Sequence, residues 1–155
     1  LELWIVGSEP ENALNRGGGS VQQAIEAAIK ANKLETQVRL LDRVDDTELG
    51  QLYASADAFV FPLVETPGDV EGFGMVAIEA SSYGTPTVAF DCGGVSDAIE
   101  NGKNGYLVTP GNYGDFSQRI TQVISEPLRQ SCTEYAKIFS WEIYAQKLQA
   151  CIDNL

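Results

Sequence analysis

Apolar residues in this chain fall in short runs separated by polar stretches, and the runs alternate between two spacings. Leu3–Val6 is a continuous apolar run ending at Gly7, the profile of a buried strand. A polar stretch over 8–20 follows, with Gly17, Gly18 and Gly19 near its end. Val21, Ala24, Ile25, Ala28 and Ile29 then recur at helical spacing up to Lys33. Val38–Leu41 reads as a second strand, and Asp46 and Thr47 can cap a helix carrying Leu49, Leu52 and Tyr53. Residues 58–61 give a third strand, stopped by Pro62, and a loop with Pro67 and Gly68 runs to Gly72. A helix is predicted over 74–83, with Gly84 just past its end. Thr87–Phe90 reads as a fourth strand, Gly93 and Gly94 as a turn, 96–100 as a short helix and 106–108 as a last strand. From Asn112 onward the pattern is helical, broken at Pro127.

Strands and helices alternate, and the strands lack period-two patterning. That combination predicts an α/β fold, a Rossmann-like doubly wound parallel sheet covered on both faces. The length of 155 residues fits a single domain over 1–155. In such sheets the ligand sits beyond the carboxyl ends of the strands. The candidate loops are therefore Gly7-Ser8, Asp42-Arg43-Val44, the loop holding Glu71 to Gly74, and Asp91 to Val95.

Composition narrows the partners. The net charge of -12 argues against nucleic acid, which needs clustered Lys and Arg, and against contact with an anionic membrane surface. A small anionic ligand stays open, because backbone N–H groups at a helix start hold phosphate without a basic surface. The chain has no histidine, which removes the usual imidazole base and every His-ligated metal site, so no metal is expected. Cys92, Cys132 and Cys151 are odd in number and widely spaced, as free thiols in a reducing compartment would be. With no run approaching the ~18 apolar residues of a span and no signal-peptide pattern, a cytoplasmic location is expected.

The loop before the 74–83 helix carries the most chemistry. Gly72 and Gly74 let a ligand approach the backbone closely, and they lead into a helix N-terminus, where free N–H groups and the macrodipole favour an anion such as phosphate. Glu79 lies further along the helix in an apolar stretch, and a vicinal diol such as a ribose would offer both its oxygens a donor. Glu71, just before the helix, could face the group beyond the phosphates. On spacing alone, Glu71 as a solvated loop acid and Glu79 on the helix's exposed side is an equally good reading. Gly93-Gly94 is either a tight turn or a site of close backbone approach, and Gly17 to Gly19 reads as a flexible loop.

The segment E-G-F-G-M-V-A-I-E-A, from Glu71 to Ala80, resembles the Glu-x7-Glu motif of the retaining GT-B fold glycosyltransferases of family 4 (glycosyl transferases group 1). Other segments resemble that family in the same order: V-R-L-L-D-R-V, L-Y-A-S-A-D-A-F-V-F-P, Y-G-T-P-T-V-A-F-D-C-G-G-V-S-D-A-I, N-G-K-N-G-Y-L-V-T-P and F-S-W. The resemblance covers nearly the whole chain. It implies the C-terminal, donor-binding domain of a two-domain enzyme, truncated on its N-terminal side. Glu79 would bind the ribose of a UDP-, GDP- or ADP-sugar, and Glu71 would contact the donor sugar near the reacting carbon. Backbone N–H groups of Gly72, Phe73, Gly74, Met75 and Val76 would meet the diphosphate and sugar hydroxyls. Arg43 and Val44 would lie near the base, and Gly7 in the first-strand loop. The acceptor would be held by the protein's own N-terminal domain.

The same resemblance implies that transfer proceeds by front-face displacement with retention, the protein positioning and stabilising charge. There are departures. Asp42-Arg43 stands where the family has Gly-Arg, and the cations that face the diphosphate, with a central strand of the sheet, would precede Leu1. The residues 65–70 lengthen the loop beside the donor sugar and are expected to shape its pocket. The alternatives are a GT-B epimerase or phosphorylase, for which the chain lacks suitable histidines or a cofactor-lysine motif, and a non-catalytic nucleotide-sugar-binding or scaffold module.

Overall fold

The computed structural model describes residues 1–7, 21–64 and 72–154. The chain divides into two compact units, Leu1–Leu49 and Gly50–Leu155. In the first unit, β1 (Leu3–Val6) pairs in parallel with β2 (Val38–Leu41), and α1 (Val21–Ala31) connects them. The pairing runs in register from Leu3 opposite Val38 to Val6 opposite Leu41. The helix α2 (Asp46–Ser55) follows, and its cap is Asp45, which accepts a hydrogen bond from the Glu48 backbone N–H, rather than the expected Asp46 or Thr47, which lie inside the helix.

In the second unit, β3 (Phe59–Phe61), β4 (Thr87–Phe90) and β5 (Gly105–Val108) form a parallel sheet in the order β3-β4-β5. Every residue of β4 is buried. Val88 and Phe90 pack with Val108, Phe116 and Val123 on the face covered by α4 (Tyr113–Ser125). Ala89 packs with Ala77, Val95, Ala98 and Ile99 on the opposite face, which α3 (Met75–Ser82) covers. This is the expected doubly wound arrangement: successive β4 side chains point to opposite faces, and each face is sealed by its own helix. Two more helices, α5 (Arg129–Ala136) and α6 (Trp141–Asp153), complete the unit.

Several features differ from the sequence reading, among them small shifts of bounds that put β3 at Phe59–Phe61 and α3 at Met75–Ser82. The described strands form a pair and a triplet rather than one sheet, since no described strand is hydrogen-bonded to both sets. β1 is not a buried strand: Leu3, Trp4 and Val6 are each about 38% exposed, because only one described strand pairs with it and no residue of α1 is buried. The short helix after β4 is a single 3₁₀ turn over Val95–Asp97. Finally, β5 begins one residue earlier than predicted, at Gly105, where φ is +156° and a Cβ would lie 1.9 Å from the Thr87 carbonyl oxygen. Only glycine can start this strand so close to β4.

Polar side chains lock the elements together. Asn104 is fully buried; its amide nitrogen donates to Ser81 Oγ of α3 and to the Ala98 carbonyl, and its oxygen accepts from the Glu100 N–H. Arg129 of α5 donates to the Ala54 and Ala56 carbonyls, satisfying orphan acceptors at the end of α2. α3 stops in a Schellman arrangement, with the Thr85 N–H bonded to Ala80 O, the Gly84 N–H to Ser81 O, and Gly84 at φ +81°.

Candidate functional site

The carboxyl edge of the β3-β4-β5 sheet carries two loops that meet. One, ending in Gly72-Phe73-Gly74, leads into α3; the other, Asp91 to Gly94, leaves β4. A Cβ on Gly94 would lie 1.8 Å from the Gly72 carbonyl oxygen and 3.4 Å from Phe73 Cα. The missing side chain of Gly94 is therefore what lets the first loop pass over the second. Of the two sequence readings for Gly93-Gly94, close backbone approach describes Gly94, although the approaching backbone is the protein's own. Phe73 is fixed from the other side, its ring 5.4 Å from Phe139, which in turn meets Tyr135 at 5.5 Å. The Phe73 side chain is thus an anchor for the loop.

Gly74 is the N-cap of α3 in the left-handed region, at φ 76° and ψ 46°, and among the described residues no side chain caps the helix. A residue with a Cβ would be strained there, so glycine permits the sharp entry into the helix. The first turn of α3 thus presents backbone N–H groups that no described side chain caps, the arrangement that suits an anion.

Met75 and Glu79 lie four residues apart, on one face of α3, and both are exposed, Met75 at 60%. Glu79 sits on the solvent side of the helix rather than inside the apolar stretch around it; Ala77, Ala80 and Ser81 supply the buried face. Among the described residues its carboxylate has one hydrogen-bond partner: the Tyr53 hydroxyl donates to Oε2 at 3.5 Å. Tyr53 is buried, with Phe59 edge-on at 5.7 Å and Tyr83 stacked at 6.0 Å, and its carbonyl accepts from the Thr85 hydroxyl. Burial, then the neighbouring Glu79 carboxylate, pushes the Tyr53 phenol up to about 12, so it stays a donor throughout the physiological range. Sequence reasoning missed Tyr53, whose spacing marks it only as a core residue of α2.

Gly72, Phe73, Gly74, Met75, Val76 and Glu79 are thus brought together at the start of one helix. Gly7, Arg43 and Val44 belong to the first unit, at the carboxyl ends of β1 and β2. Gly7 has φ +139° and its N–H bonds to the Leu41 carbonyl; the Arg43 N–H bonds to the Asp42 carboxylate, and the Arg43 side chain is exposed. Glu71, the expected catalytic residue, and the lengthened 65–70 loop lie outside the described residues. Among the described residues, no group of three or more His, Cys, Asp or Glu could hold a metal ion, and no helix is long and apolar enough to cross a membrane.

A family model for glycosyl transferases group 1 matches residues 1–139. The chain belongs to this family. Among curated members, a D-inositol 3-phosphate glycosyltransferase of Rhodococcus jostii is 31% identical over 153 residues, 96% of this chain and 32% of its own length. D-inositol 3-phosphate glycosyltransferase 2 of Catenulispora acidiphila is 35% identical over 113 residues, covering 70% of this chain and 25% of its own. Among solved structures, sucrose-phosphate synthase from Thermosynechococcus elongatus superposes with a TM-score of 0.79 at 27% identity, over 99% of this chain and 38% of that one. The Anabaena protein HepE in complex with UDP-glucose gives a TM-score of 0.69 at 26% identity, over 98% of this chain and 40% of that one. This chain spans about a third of the length of the curated relatives it matches over nearly its whole extent. The fold is the Rossmann-like α/β fold of the GT-B glycosyltransferases.

Proposed function

We propose that this chain is the donor-binding domain of a retaining glycosyltransferase whose substrate is a nucleotide-diphospho-sugar. The observation that carries this reading is the glycine-framed start of α3, which no side chain among the described residues caps, with Glu79 one turn further along its exposed face. The first suits a diphosphate and the second a diol, in the order that a nucleoside diphosphate presents them. Family membership and the UDP-glucose held by HepE support a sugar beyond the diphosphate.

In this reading the Gly72 to Val76 backbone holds the diphosphate, Glu79 takes the ribose hydroxyls, and Glu71 contacts the donor sugar at the reacting carbon. Arg43 and Val44 are the residues assigned to the base, and Gly7 is a further donor-binding residue. The acceptor is bound by a separate N-terminal domain, consistent with relatives about three times as long as this chain. α6 supports such a partner, since Trp141, Tyr144, Leu148 and Ile152 form an exposed apolar row at 82%, 57%, 50% and 54%. Chemistry then proceeds by positioning and charge stabilisation, with the leaving diphosphate helping to deprotonate the acceptor. The donor reading is tested by calorimetric titration with UDP-, GDP- and ADP-sugars. One of them should bind, and Glu79→Ala should weaken it by about 1.5–3 kcal/mol. Equal affinity of the variant for every nucleotide sugar bound by the parent would refute the assignment of Glu79.

A further inference from the structure

An exposed carboxylate on a helix has several rotamers and loses entropy when a ligand fixes it. Glu79 is exposed on α3, yet one of its oxygens, Oε2, is met by the Tyr53 hydroxyl at 3.5 Å. That distance is at the long limit of hydrogen bonding. The phenol, by contrast, has little freedom. Tyr53 is buried, wedged edge-on against Phe59 and stacked on Tyr83, and its own carbonyl is held by Thr85. Tyr83 stands four residues after Glu79 at the end of α3, so the two share a face of the helix. Its ring closes over Gly50 of α2, where a Cβ would lie 2.6 Å from the Tyr83 hydroxyl oxygen. An aromatic stack built on α2 and α3 therefore carries a hydrogen-bond donor to the carboxylate.

We propose that Tyr53 is a positioning residue, holding the Glu79 carboxylate in the rotamer that presents its remaining lone pairs to the vicinal hydroxyls of a ribose. The inference rests on the donor-site reading of Glu79. Tyr53 touches no ligand in this arrangement. It occupies one lone pair of Oε2 and leaves Oε1 and the outer side of Oε2 for two hydroxyl donors. Its effect is confined to ligands that carry the diol, which separates positioning from general support of the fold.

The test compares two nucleotides on four proteins. The ribonucleotide is whichever of UDP, GDP and ADP the unmodified chain binds most tightly, and its partner is the 2′,3′-dideoxy form. Affinities are measured by calorimetry for the unmodified chain, Tyr53→Phe, Glu79→Ala and the double variant. Tyr53→Phe keeps the ring and its stacking, so the fold is retained, and melting temperature checks this directly. The expected result is that Tyr53→Phe weakens the ribonucleotide by about 3–10-fold and leaves the dideoxy form unchanged. The double variant should bind like Glu79→Ala alone, because without the carboxylate the phenol has nothing to position. If Tyr53→Phe weakens both nucleotides equally, leaves ribose discrimination intact, or adds in full to Glu79→Ala, the positioning role is overturned while the donor site stands. If Glu79→Ala itself changes nothing, or the unmodified chain does not discriminate between the two nucleotides, the donor-site reading falls, and the role of Tyr53 with it.

Discussion

Gly94 shows how strongly one residue can constrain the site. A methyl group there would overlap the Gly72 carbonyl oxygen, and backbone cannot move aside cheaply. Gly94→Ala should therefore displace the loop at the head of α3, abolishing nucleotide binding and lowering stability by more than about 2 kcal/mol in a denaturant titration. Wild-type affinity in that variant would mean the loop is not part of the site. The three cysteines also differ in ways that can be measured. Cys132 is fully buried, and burial pushes its thiol up to about 11, while Cys151 is exposed. An aromatic disulfide reagent at pH 8 should modify Cys151 rapidly and reach Cys132 only on unfolding. Tyr53 adds a pH dependence. Its folded value of about 12 exceeds the ordinary value of 10.0, so its contribution is complete below pH 10 and is lost as pH rises toward 12. Tyr53→Phe should flatten the stability curve between about pH 10 and 12, while near pH 7 the curve is level with or without the hydroxyl.

Burial, more than strand assignment, separates the elements. β4 is buried along its whole length between two helices, whereas β1 is exposed at three of four positions. Hydrogen exchange should follow this ordering, with β4 amides among the slowest and β1 amides exchanging orders of magnitude faster. Comparable protection in the two strands would contradict it. The alternation of apolar runs was enough to locate both strands, because it reports local periodicity. It could not rank them, because burial depends on which elements pack on each face, and the Leu3–Val6 run is as apolar as Thr87–Phe90. The start of α3 was legible for a related reason: Gly72 and Gly74 advertise special backbone at a strand-to-helix joint. Tyr53 was not, since its link to Glu79 spans 26 positions and its pattern is that of any core aromatic. Nor was the buried role of Asn104, which reads as one more turn residue in N-G-K-N-G yet ties α3 to the loop before β5.

Taken whole, the molecule is strongly acidic at -12, and the proposed ligand is an anion. Backbone N–H groups and the dipole of α3 supply a local attraction against an unfavourable overall field. Donor affinity should accordingly rise with moderate salt as long-range repulsion is screened, up to the point at which the close contacts weaken too. The central claim, that the head of α3 with Glu79 is where a nucleotide sugar binds, is tested most directly by mapping backbone amide shifts in a ¹⁵N-labelled protein during titration with UDP-glucose, GDP-glucose and ADP-glucose. The largest saturable shifts are expected at Gly72, Phe73, Gly74, Met75, Val76 and Glu79, and they should be lost with Glu79→Ala. Saturable binding that leaves these amides unmoved, with its shifts elsewhere on the molecule, would contradict the account.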